Sequence, residues 1–112
     1  MVDDCVSYGL RFDMLEVIRS NVFDRWLSAL KDREARAQIQ KRIARVQLGN
    51  FGDAKRVTKE VSELRIDFGP GYRVYFTRRG QVLVLLLCGG SKKSQSKDIA
   101  EAMRIARDWD GF

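Results

Sequence analysis

Histidine is absent from this sequence of 112 residues, and with it the side chain that most often acts as a general base or zinc ligand. Cysteine is scarce, and Cys5 and Cys88 have no metal-ligand spacing, so we expect both to be reduced thiols. The longest apolar run, residues 82–88, is far too short to cross a membrane. Any proton chemistry therefore falls to carboxylates, lysines, arginines and tyrosines, and we expect neither a cofactor nor a metal.

The start of the chain carries Asp3 and Asp4 and lacks a basic region followed by an apolar one, so no signal peptide is predicted. We expect a cytoplasmic protein with no membrane contact. Lysine and arginine number 21 against 15 aspartates and glutamates, which gives a net charge of +6. This excess favours anionic partners, nucleic acid first, although many small basic proteins bind nothing anionic.

The chain length indicates one domain, with an irregular lead-in at residues 1–13 and a single folded unit over residues 14–112. Residues 14–18 alternate as a first strand. Ser20 or Asn21 then caps a short amphipathic helix, and Asp32 caps a second helix that runs to about Leu48. Because about two residues join the helices, they should form an antiparallel hairpin.

The second half of the chain changes to the two-residue period of strands. Four strands are predicted at residues 54–58, 62–68, 71–77 and 81–88, and a last helix at residues 94–109. The last strand is apolar at nearly every position, which predicts a central strand covered on both faces. The order indicates an α+β fold, in which an N-terminal strand and a helical hairpin pack on an antiparallel sheet of four to five strands, with a C-terminal helix.

A polar face is predicted on the two strands that flank the Gly69-Pro70-Gly71 turn. Alternation places Arg65 with Asp67 on one side of the first strand, and Arg73 with Tyr75 on one side of the second. Two guanidinium groups this close need an anion between them. Either Asp67 supplies it in an ion pair, or a phosphate does, since the guanidinium fork suits phosphate. As Arg73 is expected to be exposed, its truncation should cost no more than about 0.5 kcal/mol.

Further cations lie in two other segments. Residues 89–97 leave the predicted central strand through two glycines and present Lys92, Lys93 and Lys97 at the entrance to the last helix, where anions are favoured. A solvated serine-rich connector is the alternative. The second helix carries a run that includes Arg36 and Lys41, which is either a solvated face or a docking surface for RNA or an acidic partner.

Several sequence motifs occur together in one order: WLSALKDREARAQIQKRI (26–43), LGNFGDAKRV (48–57), ELR (63–65), GPGYRVYF (69–76), LLLCGG (85–90), and a lysine-rich loop with Gln95 before DIAEA (98–102). With these motifs the chain resembles the RelE/ParE toxin superfamily, and within it the HigB-like addiction module killer group. The resemblance covers roughly residues 14–107.

The resemblance implies a toxin of a type II toxin–antitoxin pair that enters the ribosome, cuts mRNA and so blocks translation. In such enzymes the ribose 2′-hydroxyl attacks the adjacent phosphate. By resemblance, Arg73 matches the arginine that lies at the scissile phosphate, and Arg65 matches a basic strand position near the nucleophile. Lys92 or Lys93 matches a basic residue that follows the last strand. The general base stays open between a lysine whose pKa is lowered by burial and neighbouring cations, and the ribosomal RNA.

The RNA itself is expected to contact Tyr75, Lys97, Arg36 and Lys41. The tyrosine that RelE-like toxins carry near the start of the last helix is missing, so Tyr75 is the candidate for stacking a base. The implied partners are mRNA on the ribosome and a cognate antitoxin, which we expect to be a HigA-like helix-turn-helix protein. Operator DNA is expected to be bound only through this antitoxin. Two alternatives are a ParE-like inhibitor of DNA gyrase without nuclease activity and a basic nucleic-acid-binding module.

Overall fold

The computed structural model describes residues 14–109 of the chain, so the predicted lead-in at residues 1–13 and Cys5 lie outside the described residues. A short 3₁₀ turn at Lys92–Ser94 precedes the last helix. The elements are, in chain order, β1 (Glu16–Arg19), α1 (Asn21–Ala29), α2 (Arg33–Gln47), β2 (Ala54–Arg56), β3 (Ser62–Ile66), β4 (Tyr72–Arg79), β5 (Leu83–Ser91) and α3 (Gln95–Asp108).

The five strands form one sheet in the order β1-β5-β4-β3-β2. The three pairings among β2, β3, β4 and β5 are antiparallel, as predicted, whereas β1 pairs with β5 in parallel. The sheet is therefore mixed rather than purely antiparallel. A parallel pair needs a long connection, and here the helical hairpin and three strands separate β1 from β5 along the chain.

Side-chain caps define where the two hairpin helices begin, as the sequence predicted. The Ser20 hydroxyl accepts a hydrogen bond from the Phe23 amide at 3.0 Å and donates to the Leu87 carbonyl at 2.6 Å, which ties the start of α1 to the central strand. Asp32 Oδ1 accepts from the amides of Glu34 and Ala35 at 3.0 and 3.2 Å. Each cap satisfies amides that lack partners within the helix.

The sheet separates two hydrophobic cores. The hairpin side contains Phe23, Leu27, Ile39, Ile43, Val46, Leu64, Ile66, Val74, Phe76, Val84 and Leu86. The α3 side contains Val61, Tyr75, Leu83, Leu85, Leu87, Cys88, Ala102, Ile105 and Ala106. Strand β5 contributes to both, which confirms the prediction of a central strand covered on both faces.

The prediction that two glycines lead out of the central strand is wrong. Gly89 and Gly90 belong to β5, opposite Val74 and Arg73, and the strand ends only at Ser91. A Cβ atom at Gly89 would lie 2.4 Å from ring atoms of Trp26, and one at Gly90 would lie 1.8 Å from Asp98 Oδ2. Both residues are glycine because a helix side chain approaches the strand backbone there, not because the chain must turn.

Among residues 14–109, no helix is both long and apolar enough to span a membrane.

Candidate functional site

Arg65 and Arg73 occupy directly opposed positions on β3 and β4. Both strands direct alternate residues to the hairpin core, namely Leu64 and Ile66 on β3 and Val74 on β4, so the two arginines lie on the other face. The structure thus brings together the two residues that the sequence placed on one polar face. Close guanidinium groups repel each other, and the positions of nearby carboxylates decide what this pair can do.

Each arginine is paired with a carboxylate, but neither partner is Asp67. Arg65 contacts Asp53 Oδ1 through Nε and Nη2 at 3.3 and 3.2 Å, and both side chains are solvent-accessible, 40% and 59% exposed. Arg73 Nη1 lies 2.6 Å from Glu63 Oε2, and this pair is only 14% and 1% exposed. The Arg65 pair is a weak surface contact that an anion can replace, whereas the Arg73 pair is a buried structural contact.

The expectation that Arg73 is freely exposed is therefore wrong, because the residue belongs to a buried ion pair. The second oxygen of Glu63, Oε1, is buried and has no hydrogen-bond partner within residues 14–109, and its Oε2 lies 4.0 Å from Arg65 Nε. Sequence reasoning missed this residue. Since Glu63 precedes Arg65 by two positions, strand alternation alone put it on the arginine face.

Tyr75 is the second correction at this face. Its side chain is fully buried beneath α3, so its ring is not available to stack a base. Among the described residues, its hydroxyl has no hydrogen-bond partner. Burial raises the pKa of Tyr75 above its usual value, and the charges of Glu63 and Asp98 raise it further while Arg73 opposes them. The tyrosine is a core residue here, not a contact surface for RNA.

A cleft of about 260 Å³ opens beside the arginine pair and is the candidate substrate cleft. It is lined by Asp53, Arg65, Ile66, Asp67, Gly71, Tyr72 and Arg73. Lys92 lies next to the cleft, because its amide donates to the Gly71 carbonyl at 2.9 Å. The cleft thus combines two strand arginines with a lysine whose backbone adjoins it, and the guanidinium groups are of a kind that can hold a phosphate.

The remaining predicted lysines lie on the exposed surface. Lys93 follows Lys92 in the 3₁₀ turn, and Lys97 is in the first turn of α3. All three side chains are exposed. A lysine acting as a general base would need burial to favour its neutral form, and that burial is missing at these positions.

Arg36 and Lys41 are not brought to the cleft. They belong to α2, which packs on the opposite face of the sheet. Arg36 Nη1 donates to the Leu30 carbonyl and so fastens the turn between the hairpin helices. Lys41 is exposed to solvent. As RNA contacts, these two residues would require a second surface separate from the arginine cleft.

Arg42 supports the cleft, although sequence reasoning did not separate it from the charge run on α2. Its Nη1 donates to the Arg65 carbonyl at 2.6 Å, and its Nη2 donates to the carbonyls of Phe51 and Asp53 at 2.9 and 3.2 Å. Burial lowers the pKa of Arg42, the charge of Arg45 lowers it further, and Asp53 opposes both. By holding the backbone of β3 and of residue 53, Arg42 fixes the Arg65–Asp53 pair.

Residues 14–109 contain no group of three or more histidine, cysteine, aspartate or glutamate side chains placed to hold a metal ion. Cys88, whose thiol is buried and forms no disulfide, contacts the Asp98 carbonyl on the α3 side of the sheet and does not line the cleft.

The fold is RelE-like. The structure of the Escherichia coli toxin RelE, a double arginine-to-alanine mutant in the free state, matches with a TM-score of 0.66 over 86% of this chain and 99% of that one, at 16% sequence identity. The match confirms the predicted fold, but the identity is too low to transfer the roles of individual residues.

The chain belongs to the family of phage-derived Gp49-like proteins, whose model matches residues 25–109. An uncharacterized protein of Haemophilus influenzae strain Rd is 50% identical over 94 residues, which are 84% of this chain and 95% of that protein. Family and fold support the RelE superfamily assignment. The narrower HigB-like assignment stays a prediction.

Proposed function

We propose that this protein is the toxin of a type II toxin–antitoxin system and an endonuclease that cuts mRNA on the ribosome, thereby blocking translation. The Gp49-like family and the RelE-like fold support the toxin assignment. The observation that carries the nuclease assignment is the direct opposition of Arg65 and Arg73 on β3 and β4, beside a cleft that opens to solvent.

In the proposed reaction, the ribose 2′-oxygen loses its proton and bonds to the adjacent phosphorus, and the bond from phosphorus to the 5′-oxygen breaks. The leaving 5′-oxygen takes up a proton, so the products are a cyclic phosphate and a 5′-hydroxyl. Arg65 and Lys92 or Lys93 stabilise the negative charge on the phosphate oxygens. The phosphate displaces Asp53 from Arg65, which is a small cost because that ion pair is exposed.

Arg73 acts from a fixed position in this scheme. The buried carboxylate of Glu63 holds its Nη1 at 2.6 Å, and the remaining guanidinium donors are left for the substrate. Glu63 is therefore a positioning residue. Two candidates are open for accepting the 2′-proton, a buried lysine and the ribosomal RNA. Because Lys92, Lys93 and Lys97 are all exposed, we favour the ribosomal RNA. A base supplied by the ribosome also gives a reason for cleavage to depend on the ribosome.

A second candidate function is inhibition of DNA gyrase by the same fold without nuclease activity. It is favoured by one observation: both arginines are paired with carboxylates and Tyr75 is buried, so fewer free groups face the cleft than a nuclease would use. The two functions leave different lesions in the cell, which allows one experiment to separate them.

The proposed partner is a cognate antitoxin of the helix-turn-helix class, and the proposed location is the cytoplasm. The chain carries a net charge of +6, so the antitoxin should cover the arginine face with acidic side chains. Its affinity should then fall as salt rises, because screening weakens contacts between exposed charges. An affinity that does not change with salt would contradict this mode of neutralisation.

The test is a pulse of expression in bacteria, followed by mapping of RNA 5′-hydroxyl ends and by a reporter of DNA damage. We expect growth arrest with cuts inside translated reading frames and no damage signal. Intact messages together with DNA damage would support gyrase inhibition and refute the nuclease.

The informative variant is Arg65→Ala, with Arg33→Ala as its control. Arg65 is exposed and its ion pair contributes at most about 1 kcal/mol, so removal should abolish cutting without unfolding the protein. Arg33 is an exposed arginine at the start of α2, remote from the cleft, and its removal should leave cutting unchanged. Equal cutting by both variants would contradict a phosphate-binding role for Arg65.

A further inference from the structure

A second cleft lies at the other end of the β3–β4 hairpin. Strand β3 begins at Ser62, which pairs with Phe76, so β4 continues three residues beyond its neighbour, to Arg79. The loop between β2 and β3 borders the overhang. The resulting cleft has a volume of about 360 Å³ and is lined by Arg56, Lys59, Glu60, Ser62, Thr77, Arg78 and Arg79.

The four cations of this cleft are not neutralised. Within residues 14–109, none of Arg56, Lys59, Arg78 and Arg79 forms an ion pair, and Glu60 is the only carboxylate in the lining. The arginine pair of the first cleft differs in this respect, since Asp53 and Glu63 already neutralise it. Unpaired cations around a concave surface concentrate positive potential and attract an anion.

Two of these cations are held in place by neutral groups. Arg78 Nη2 donates to the Gln81 carbonyl at 3.1 Å, and its guanidinium lies 5.1 Å from the centroid of the Phe51 ring. Arg79 Nη2 donates to the Ala106 carbonyl near the end of α3 at 2.7 Å. These contacts restrict the side chains without cancelling their charge. The two arginine side chains therefore lose less conformational entropy when an anion binds.

The lining also indicates which kind of anion fits. It consists of four cationic residues, the hydroxyl-bearing residues Ser62 and Thr77 and one carboxylate residue, Glu60, and it contains no apolar residue. Aromatic side chains that anchor protein partners occupy desolvated pockets with apolar walls, and this lining offers none. A phosphate needs no such lining, because guanidinium, ammonium and hydroxyl groups satisfy its oxygens.

We propose that the second cleft binds a backbone phosphate of single-stranded RNA. Thr77, which lines the second cleft, is four residues from Arg73 along β4 and on the same face of the sheet, which is about 13 Å at the usual rise of a strand. One RNA strand can therefore contact both clefts, and the second cleft provides affinity while the first faces the phosphate to be cut. The choice of RNA as the polyanion rests on the proposed function.

The test measures the binding of a fluorescein-labelled single-stranded RNA of about 12 nucleotides by anisotropy, over a salt range of about 50 to 200 mM. The variant is the double substitution Arg56→Ala and Lys59→Ala, which removes two exposed cations without removing any ion pair. The matched control, Lys31→Ala with Arg33→Ala, removes the same charges from the hairpin turn on the other side of the sheet. Unfolding midpoints of both variants should equal that of the unsubstituted chain.

Log affinity falls as log salt rises, and we expect this dependence to become less steep by about 0.7 for each phosphate that the cleft variant no longer binds. In the control the slope should stay unchanged. An equal change in both variants would overturn the inference, since the weaker binding would then reflect net charge alone. Competition by poly-glutamate as strong as that by RNA of equal charge would also overturn it, in favour of an acidic protein partner.

This measurement is separate from the test of the proposed function, because binding is recorded without cleavage. A chain that binds RNA through this cleft but leaves messages intact refutes the nuclease and not the cleft. A chain that cuts messages but binds RNA equally well after removal of Arg56 and Lys59 refutes the cleft alone.

Discussion

Removal of Arg73 should destabilise the fold measurably rather than only disable a site. The substitution Arg73→Ala leaves the Glu63 carboxylate, 1% exposed, without the guanidinium that lies 2.6 Å away. Removing one partner of a buried ion pair typically costs about 3 to 5 kcal/mol. Glu63 retains Arg65 Nε at 4.0 Å, so we place the destabilisation near the lower end, about 3 kcal/mol. That is a large part of the roughly 5–15 kcal/mol by which domains are usually stable.

The assay is urea unfolding at neutral pH, with the free energy obtained by linear extrapolation. A second variant separates the buried charge from the change in packing: Glu63→Met combined with Arg73→Leu replaces the pair by apolar side chains of similar size. Such replacements are often neutral or stabilising, so the double variant should lie within about 1 kcal/mol of the unsubstituted chain.

The reasoning fails in either of two cases. If Arg73→Ala costs less than about 0.5 kcal/mol, the residue behaves as an ordinary surface position and the pair has no structural role. If the double variant is no more stable than Arg73→Ala, then the stranded charge is not the cause of the destabilisation. Toxicity measurements on Arg73 variants need this control, and Arg65 is the better residue for testing function.

Three further predictions concern the α3 side and the central strand. Tyr75→Phe should stabilise the fold by about 1 kcal/mol at neutral pH, since it removes a buried hydroxyl without a partner. Above about pH 10, Tyr75 loses its proton in the unfolded state but keeps it in the folded state, where its pKa is raised, so stability falls as the pH rises. Tyr75→Phe should make this fall less steep. An unchanged dependence of the unfolding free energy on pH, measured by urea titration, would contradict this. Burial, with smaller effects of Asp98 and Glu101, raises the pKa of Cys88 to about 12. In a Cys5→Ser background, Cys88 of the native protein should therefore resist iodoacetamide at pH 8 and react only after urea unfolds the chain. Rapid labelling of the native protein would contradict this. Gly89→Ala should cost roughly 1–3 kcal/mol because the new methyl group meets the Trp26 ring at 2.4 Å, and a neutral effect in thermal unfolding would show that Trp26 moves aside.

The parts of the structure that depend on local chemistry were predictable from the sequence. Ser20 and Asp32 are good N-caps, and both helices begin immediately after them. A tight turn between two alternating strands was enough to place Arg65 and Arg73 on one face. These inferences need only the period of an element and the residues at its ends.

The parts that depend on distant packing were not predictable. The stripe on α3 indicates that the helix covers the sheet, but not that it covers the arginine face and so buries Tyr75. The partner of Arg65 is Asp53, the residue immediately before β2, and the pairing of β2 with β3 brings the two side chains together. Gly89 and Gly90 looked like the exit from a strand because the approach of Trp26 and Asp98 leaves no trace in the local sequence.

The most direct measurement of the central claim is cleavage of a defined message by the purified protein, with and without bound ribosomes, followed by mapping of the cut ends. We expect cuts only in the ribosome-bound message, with 5′-hydroxyl ends, from the unsubstituted chain and from Arg33→Ala. Arg65→Ala should cut at least about a hundredfold more slowly, as when one charge-stabilising donor is removed. An intact ribosome-bound message, or cutting by Arg65→Ala at the full rate, would contradict the account.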